Sequence, residues 1–258
     1  KMSPDEQHEL KDKIIHAAEK IEEEVGMQFT LYDLGSEKHK LADALKGRFA
    51  IPPFMYMDKS DSGLLLSDDE SVSILINGRE HICIQISGPG KNIYDNVNTA
   101  NIVDDILNES LVYAYSDKYG YLTANPQFTG TGISVSYLLH LPFLEKGQKI
   151  AAFEKELTRY GFYLGGHFDG RVRAPGGIYR VRNRKTLGLS ETEIVSALEQ
   201  ITLQLTTQEK TVALDFMKKD YNSEVDLMYR AYGLLRYATE LDFDETMAFL
   251  SLLRSGDM

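Results

Sequence analysis

Apolar positions at helical spacing open the chain. Leu10, Ile14, Ala17, Ile21 and Val25 predict one buried face, with Glu22 to Glu24 on the solvated side. Ser3-Pro4-Asp5-Glu6 supplies an N-cap, a proline at the first helical position and the glutamate of a capping box, so a helix is expected over 3–25. Phe29 to Tyr32 reads as a strand and Ser36 to Leu45 as a short helix. The clearest hairpin follows. Val72, Ile74 and Ile76 alternate with their neighbours, Asn77-Gly78 offers a two-residue type I′ turn, and Ile82, Ile84 and Ile86 alternate again. Period two then places His81, Cys83 and Gln85 on the face opposite the isoleucines.

Further along, 92–115 reads as helix, 117–131 as loop, and 133–141 as either a strand or a buried helix. A helix over 153–160 precedes strands at 162–168 and 177–184. Ser190-x-x-Glu193 is a second capping box, opening a long helix towards Lys219, and two more helices finish the chain within 223–254. Strands in the middle with helices at both ends predict an α+β fold, a central antiparallel sheet flanked by helices in one domain over 1–258. No linker or internal repeat divides it.

Composition narrows the function classes. Hydrophobic residues make up 43% and charged residues 26%, the balance of a soluble globular protein. No apolar run approaches the roughly 20 residues of a membrane span, and the charged start predicts no signal peptide. Lys1 before Met2 suggests a trimmed chain. With 28 basic and 39 acidic side chains, the net charge of −11 disfavours nucleic-acid binding through overall charge. Cys83 is the one cysteine, which excludes an internal disulfide and a cysteine-rich zinc site and fits a reducing cytoplasm. No metal site is expected.

Four segments, in order, resemble the catalytic domain of the ATP:guanidino phosphotransferases (phosphagen kinases), with the bacterial protein-arginine kinases nearest. They are Leu65-Leu66-Ser67 through Ile76-Asn77-Gly78-Arg79-Glu80-His81-Ile82-Cys83-Ile84-Gln85; Gly120 to Pro126 with Gly130-Thr131-Gly132; Leu139-His140-Leu141-Pro142; and Ile178 to Asn183 with Leu187 to Glu191. Tyr229-Arg230-Ala231-Tyr232-Gly233-Leu234-Leu235 resembles a late helical segment of the same family. The resemblance implies a guanidino kinase or glutamine synthetase-like fold. It also implies a chemistry in which arginines hold ATP phosphates, two carboxylates orient and deprotonate a guanidinium, and a cysteine thiolate sits beside it. Such catalysis is positioning plus cancellation of charge on the transferring phosphoryl group.

The residues of that chemistry are replaced here. Where the family reads Asn-Glu-Glu-Asp-His-x-Arg, this chain has Gly78 at the catalytic glutamate and Cys83 at the arginine. In the family's Cys-Pro-Thr-Asn-x-Gly-Thr-Gly-x-Arg segment, Asn125 holds the place of the cysteine and Ser134 that of the arginine. The Arg-Gly-x-x-Gly-Glu loop becomes Gly165-Gly166-His167-Phe168-Asp169-Gly170, with Gly165 for arginine and Gly170 for glutamate. A Ser-x-Arg-x-Arg segment is not visible. Loss of one charge-stabilising arginine can cost roughly 10³ to 10⁵ in rate, so the resemblance with these gaps implies a pseudokinase with no catalytic residues and no cofactor.

Other residues keep alternatives open. His81 matches the family's histidine and reads as structural, Cys83 as an inert strand thiol, and Gly130-Thr131-Gly132 as a retained turn. Glu80, Asp169 and Asp58 are candidate replacement bases, none at a family position. Arg171, Arg173, Arg180, Arg182, Arg184 and Lys185 form a basic run in an acidic chain, and Arg79 and Arg173 stand where the family has glutamates. Arg79, Arg171, Arg173, Arg180, Arg182 and Arg184 are therefore candidates for anion or partner binding. The competing reading is an exposed strand face whose arginines lie over the sheet. Three functions remain: a pseudokinase acting on a protein partner, a residual arginine kinase needing ATP and Mg, and an anion sensor. The resemblance suggests an active arginine kinase or its activator as partner, or a homodimer; neither nucleic acid nor membrane is expected.

Overall fold

The computed structural model describes residues 2–34, 45, 61–90, 93–168 and 174–256. They fall into two compact units, 1–132 and 133–258. The helix expected over 36–45 lies outside the described residues, apart from Leu45.

In the first unit, α1 (Pro4–Val25) starts on the Ser3 capping box and ends where the Gly26 N–H, at φ 74°, donates to the Glu22 carbonyl. Four strands, β1 (Phe29–Asp33), β2 (Gly63–Ser67), β3 (Val72–Ile76) and β4 (Ile82–Ile86), form an antiparallel sheet in sequence order. Every residue of β2 and β3 is buried, because both faces of these central strands are covered. On one face, Leu65, Val72, Ile74 and Ile76 meet Ile14, Ala17 and Ile21 of α1 and Val103, Ile106 and Leu107 of α2 (Ile93–Ser110), with Ile82, Ile84 and Ile86 against them. On the other, Leu34, Leu45, Leu64, Leu66 and Leu75 pack with Tyr32 and Cys83. Each such leucine contributes about 1.5–3 kcal/mol of transfer free energy.

The hairpin departs from the sequence expectation. Ile76 pairs with Ile82, and the Asn77 N–H donates to the His81 carbonyl at 2.9 Å, leaving Gly78, Arg79 and Glu80 at the tip. Asn77 has φ 53° and Gly78 is not in the left-handed region, so there is no two-residue I′ turn. A turn confined to Asn77-Gly78 would pair Ile82 with Ser73 and send the isoleucines of β4 to the wrong face. The apolar alternation sets the register over the turn propensity.

The predicted loop after α2 contains a short ribbon, β5 (Tyr115–Ser116) with β6 (Gly120–Tyr121), extended by a bridge between Tyr121 and Gly130. Here glycine is required: a Cβ on Gly120, at φ 73°, would collide with the Gly130 carbonyl oxygen.

In the second unit, β7 (Ser136–His140), β9 (Ile178–Asn183) and β8 (Phe162–Gly166) form an antiparallel sheet with β9 central. The ambiguous 133–141 segment is thus a strand. The fold is α+β with antiparallel sheets flanked by helices, as expected; among the described residues the strands fall into three sheets rather than one. Just before β7, the Asn183 side chain accepts the Val135 N–H at 2.8 Å and donates to the Ile133 carbonyl at 3.1 Å.

Helices α3 (Pro142–Lys146) and α4 (Ile150–Arg159) precede β8. Helix α5 (Glu191–Tyr237) opens on the Ser190–Glu193 capping box, and its Ile194, Val195, Leu198 and Leu205 are buried. It packs on β7 and β9 as expected. Asp220 interrupts it at φ −155°, ψ 74°, and its carboxylate accepts the Ser223 N–H, so a fresh helical segment begins where the sequence places one. Buried Glu209 of α5 accepts the N–H groups of Phe143 (2.7 Å) and Leu144 (2.8 Å), tying the long helix to α3. Burial raises the Glu209 pKa, opposed by those two bonds. Helix α6 (Phe243–Ser255) begins on a third capping box, Asp242 with Glu245. Among the described residues, no helix is long and apolar enough to cross a membrane.

Candidate functional site

The first unit carries Gly78, Arg79, Glu80, His81, Cys83 and Asn125. Asn77 is fully buried; its side-chain amide donates to the carbonyls of Gln7 (2.9 Å) and Asp61 (3.1 Å), and its backbone carbonyl accepts from the Ser62 hydroxyl. This retained motif residue braces the hairpin against α1. Gly78 is buried, and a Cβ there would stand 2.9 Å from Leu75 Cδ2, so a longer side chain would displace a core leucine. Arg79 and His81 are exposed at the tip.

Glu80 is engaged rather than free. Its two carboxylate oxygens accept the N–H groups of Ala124 and Asn125, each at 2.8 Å. Asn125 in turn accepts the Gln127 N–H with its side chain and caps a short 3-10 turn over Pro126–Phe128. The residue at the family's cysteine position therefore stabilises a turn, and the candidate base Glu80 holds that turn in place. Cys83 packs among leucines. Cys83 is half-buried, and burial, then the Glu80 charge, pushes its thiol up to about 12, which disfavours the thiolate.

The second unit carries Ser134, Gly165 and the arginines of β9. Gly170, Arg171, Arg173 and Asp169 lie outside the described residues, as does Asp58. Ser134 is exposed. Gly165 and Tyr163 share a face of β8, opposite Arg180 and Arg182 of β9 respectively. A Cβ on Gly165 would collide with the Tyr163 hydroxyl, so the space of the family's arginine is filled by a tyrosine. The Arg182 guanidinium lies 5.1 Å from the Tyr163 ring centroid, within cation–π range. Arg180 donates from Nε and Nη2 to His167 Nδ1 at 3.3 and 3.2 Å. Burial first, then the Arg180 charge, lowers His167 to about 4, so the imidazole is neutral and carries its proton on Nε2. Burial also lowers Arg180 and Arg182; the Arg182 charge adds to it for Arg180 and the Arg184 charge for Arg182, while Tyr163 opposes it in both. Arg184 is exposed.

The structure thus brings Arg180 and Arg182 together on one strand face. Arg79 belongs to the other unit. His167 and Tyr163 were not read from sequence as site residues. The available signal was Tyr163 at i−2 from Gly165, which places both on one strand face, but their pairing with β9 is a long-range fact.

Residues 9–212 match the family model of the ATP:guanido phosphotransferase C-terminal catalytic domain. The chain belongs to this family. It is 34% identical over 254 residues to a protein-arginine kinase of Desulforamulus reducens, covering 96% of this chain and 71% of that protein. A protein-arginine kinase of Clostridium kluyveri is 38% identical over 199 residues, 77% of this chain and 58% of its relative. The chain therefore spans roughly three-fifths to seven-tenths of these relatives. The fold matches a duplicated taurocyamine kinase from Schistosoma mansoni with TM-score 0.66 at 20% identity, over 90% of this chain and 34% of that one. A lombricine kinase matches with TM-score 0.63 at 21% identity, over 81% and 61%. For a guanido phosphotransferase, the residues at the vacated positions do not fit nucleotide phosphates. Cys83 is packed among leucines, and the space at Gly165 belongs to Tyr163.

Proposed function

We propose that this chain is a non-catalytic guanido phosphotransferase, a pseudokinase that acts by binding a protein partner. The observation that carries the reading is the Tyr163 side chain over Gly165, which occupies the space beside the glycine at the family's phosphate-binding arginine position. Glycine at both carboxylate positions, Gly78 and Gly170, supports it, because neither can align or deprotonate a guanidinium. The residual-kinase alternative would recruit another base. Against it, Glu80 is committed to two backbone N–H groups.

The resemblance suggests an active arginine kinase or its activator as the partner, or a second copy of this chain. Nucleotide affinity tests the reading. Each charge-assisted hydrogen bond contributes about 1.5–3 kcal/mol, so arginine replacement at Cys83, Ser134 and Gly165 weakens Mg-ADP binding by orders of magnitude. Calorimetric titration with millimolar Mg-ADP should show weak or no saturation. Micromolar affinity would overturn the proposal in favour of a nucleotide-binding role.

A further inference from the structure

One face of the three-stranded sheet holds a partly desolvated cation whose bonded partner is neutral. Arg180 is half-buried, and its guanidinium is bonded to His167 Nδ1. Among the described residues, no carboxylate pairs with it. An imidazole without charge accepts hydrogen bonds but does not cancel the guanidinium's charge, and burial makes that charge costly unless an anion is near. Arg182, two residues along the same face, adds a second positive charge rather than a compensating one. Opposite them, the Tyr163 hydroxyl lies over Gly165, the cross-strand partner of Arg180. A guanidinium has five N–H donors, and His167 uses two of them.

We propose that Arg180, Arg182 and the Tyr163 hydroxyl form a binding site for a phosphoryl group. Arg180 supplies its remaining N–H donors, Tyr163 donates its O–H, and Arg182 stacks on the Tyr163 ring as the flanking charge. His167 is a positioning residue that holds the Arg180 fork. Two cations and a hydroxyl suit a tetrahedral dianion, whereas one carboxylate is satisfied by a single bidentate arginine. The site goes beyond the non-catalytic reading and does not depend on it. Arg180 and Arg182 lie outside the three vacated arginine positions, and either result on phosphoryl transfer leaves the site to be tested separately.

The test is calorimetric titration of the full chain at low salt with inorganic phosphate, with a phosphoserine peptide and with the same peptide unphosphorylated. Saturable phosphate binding is expected. Arg180→Gln and Arg182→Gln should each weaken it about tenfold or more, the scale of one charge-assisted hydrogen bond. Arg159→Gln, the same charge change at the exposed end of α4, should leave it within about twofold. Melting curves verify folding, and if Arg180→Gln fails to fold, Arg182→Gln and Tyr163→Phe carry the test. Tighter binding of the phosphopeptide assigns a phosphorylated chain as the source, and equal affinities assign free phosphate. Absence of saturable binding overturns the proposal. Equal saturable binding of the two peptides, or equal loss in the Arg159 variant, also overturns it.

Discussion

Glu80 and Asn125, 45 residues apart, are joined by a 2.8 Å bond from the Asn125 N–H to the Glu80 carboxylate. The bond makes the hairpin tip and the Pro126–Phe128 turn one structural joint. A carboxylate in this position stabilises backbone, and that use competes with use as a base.

Glu80→Ala should therefore release the turn. The expected cost is about 1–3 kcal/mol for two N–H groups losing a charged acceptor. Amide exchange at Ala124 and Asn125 should accelerate, while the strands of the hairpin stay protected. Hydrogen-exchange mass spectrometry measures this, and unchanged exchange at 124–125 would contradict the joint.

Restoring arginine at the third motif should destabilise the second unit. Gly165→Arg places a Cβ against the Tyr163 hydroxyl and forces the ring off Arg182. A loss of about 1–3 kcal/mol is expected, the scale of overpacking. Tyr163→Ala in the same chain should recover part of it. Thermal unfolding of the single and double variants checks the coupling, and additive effects would show that the two side chains do not compete for one space.

Two histidines set a pH dependence. His140, bonded through Nε2 to the Ser251 hydroxyl at 2.8 Å, is lowered to about 4 by burial and then by the Arg254 charge; His167 is lowered to about 4 by burial and then by Arg180. Both are depressed below the ordinary 6.5, so the unfolded chain takes up protons first as pH falls. Their contribution is complete above pH 6.5 and declines between 6.5 and about 4, by about 1–2 kcal/mol each after solvent screening. Denaturant midpoints across that range should flatten in His140→Gln and His167→Gln. An unchanged profile in both variants would refute the assignment.

Cys83 should resist thiol reagents at pH 8 in the folded chain and react only after unfolding, because burial holds it protonated. Rapid labelling of native protein would contradict its packing among the leucines of β2 and β3.

What was legible in the sequence was local. The capping boxes at Ser3 and Ser190, the apolar stripe of α1 and the restart of helix after Asp220 all depend on residues a few positions apart. Asn77-Gly78 misled because turn preference is weaker than the alternation of Ile74, Ile76, Ile82 and Ile84, which sets the register. The grouping of strands into sheets was not to be had from strand patterns alone, since pairing is long-range, as are the bonds of the Asn183 side chain to the backbone of Ile133 and Val135, 50 and 48 residues away. The site divides in the same way. Substitutions at Gly78, Cys83 and Gly165 were visible by motif comparison. The filling of the Gly165 space by Tyr163 and the bonding of Arg180 to His167 depend on strand pairing, which no short-range pattern encodes.

The central claim is the absence of phosphoryl transfer. Its most direct test is incubation of the full chain with Mg-ATP and a protein substrate phosphorylated by an active protein-arginine kinase, followed by mass spectrometry for phosphoarginine. The account predicts phosphoarginine no higher than in the enzyme-free control, while the active kinase labels the same substrate. Phosphoarginine above background, scaling with the amount of this chain and abolished by removing Mg, would contradict it.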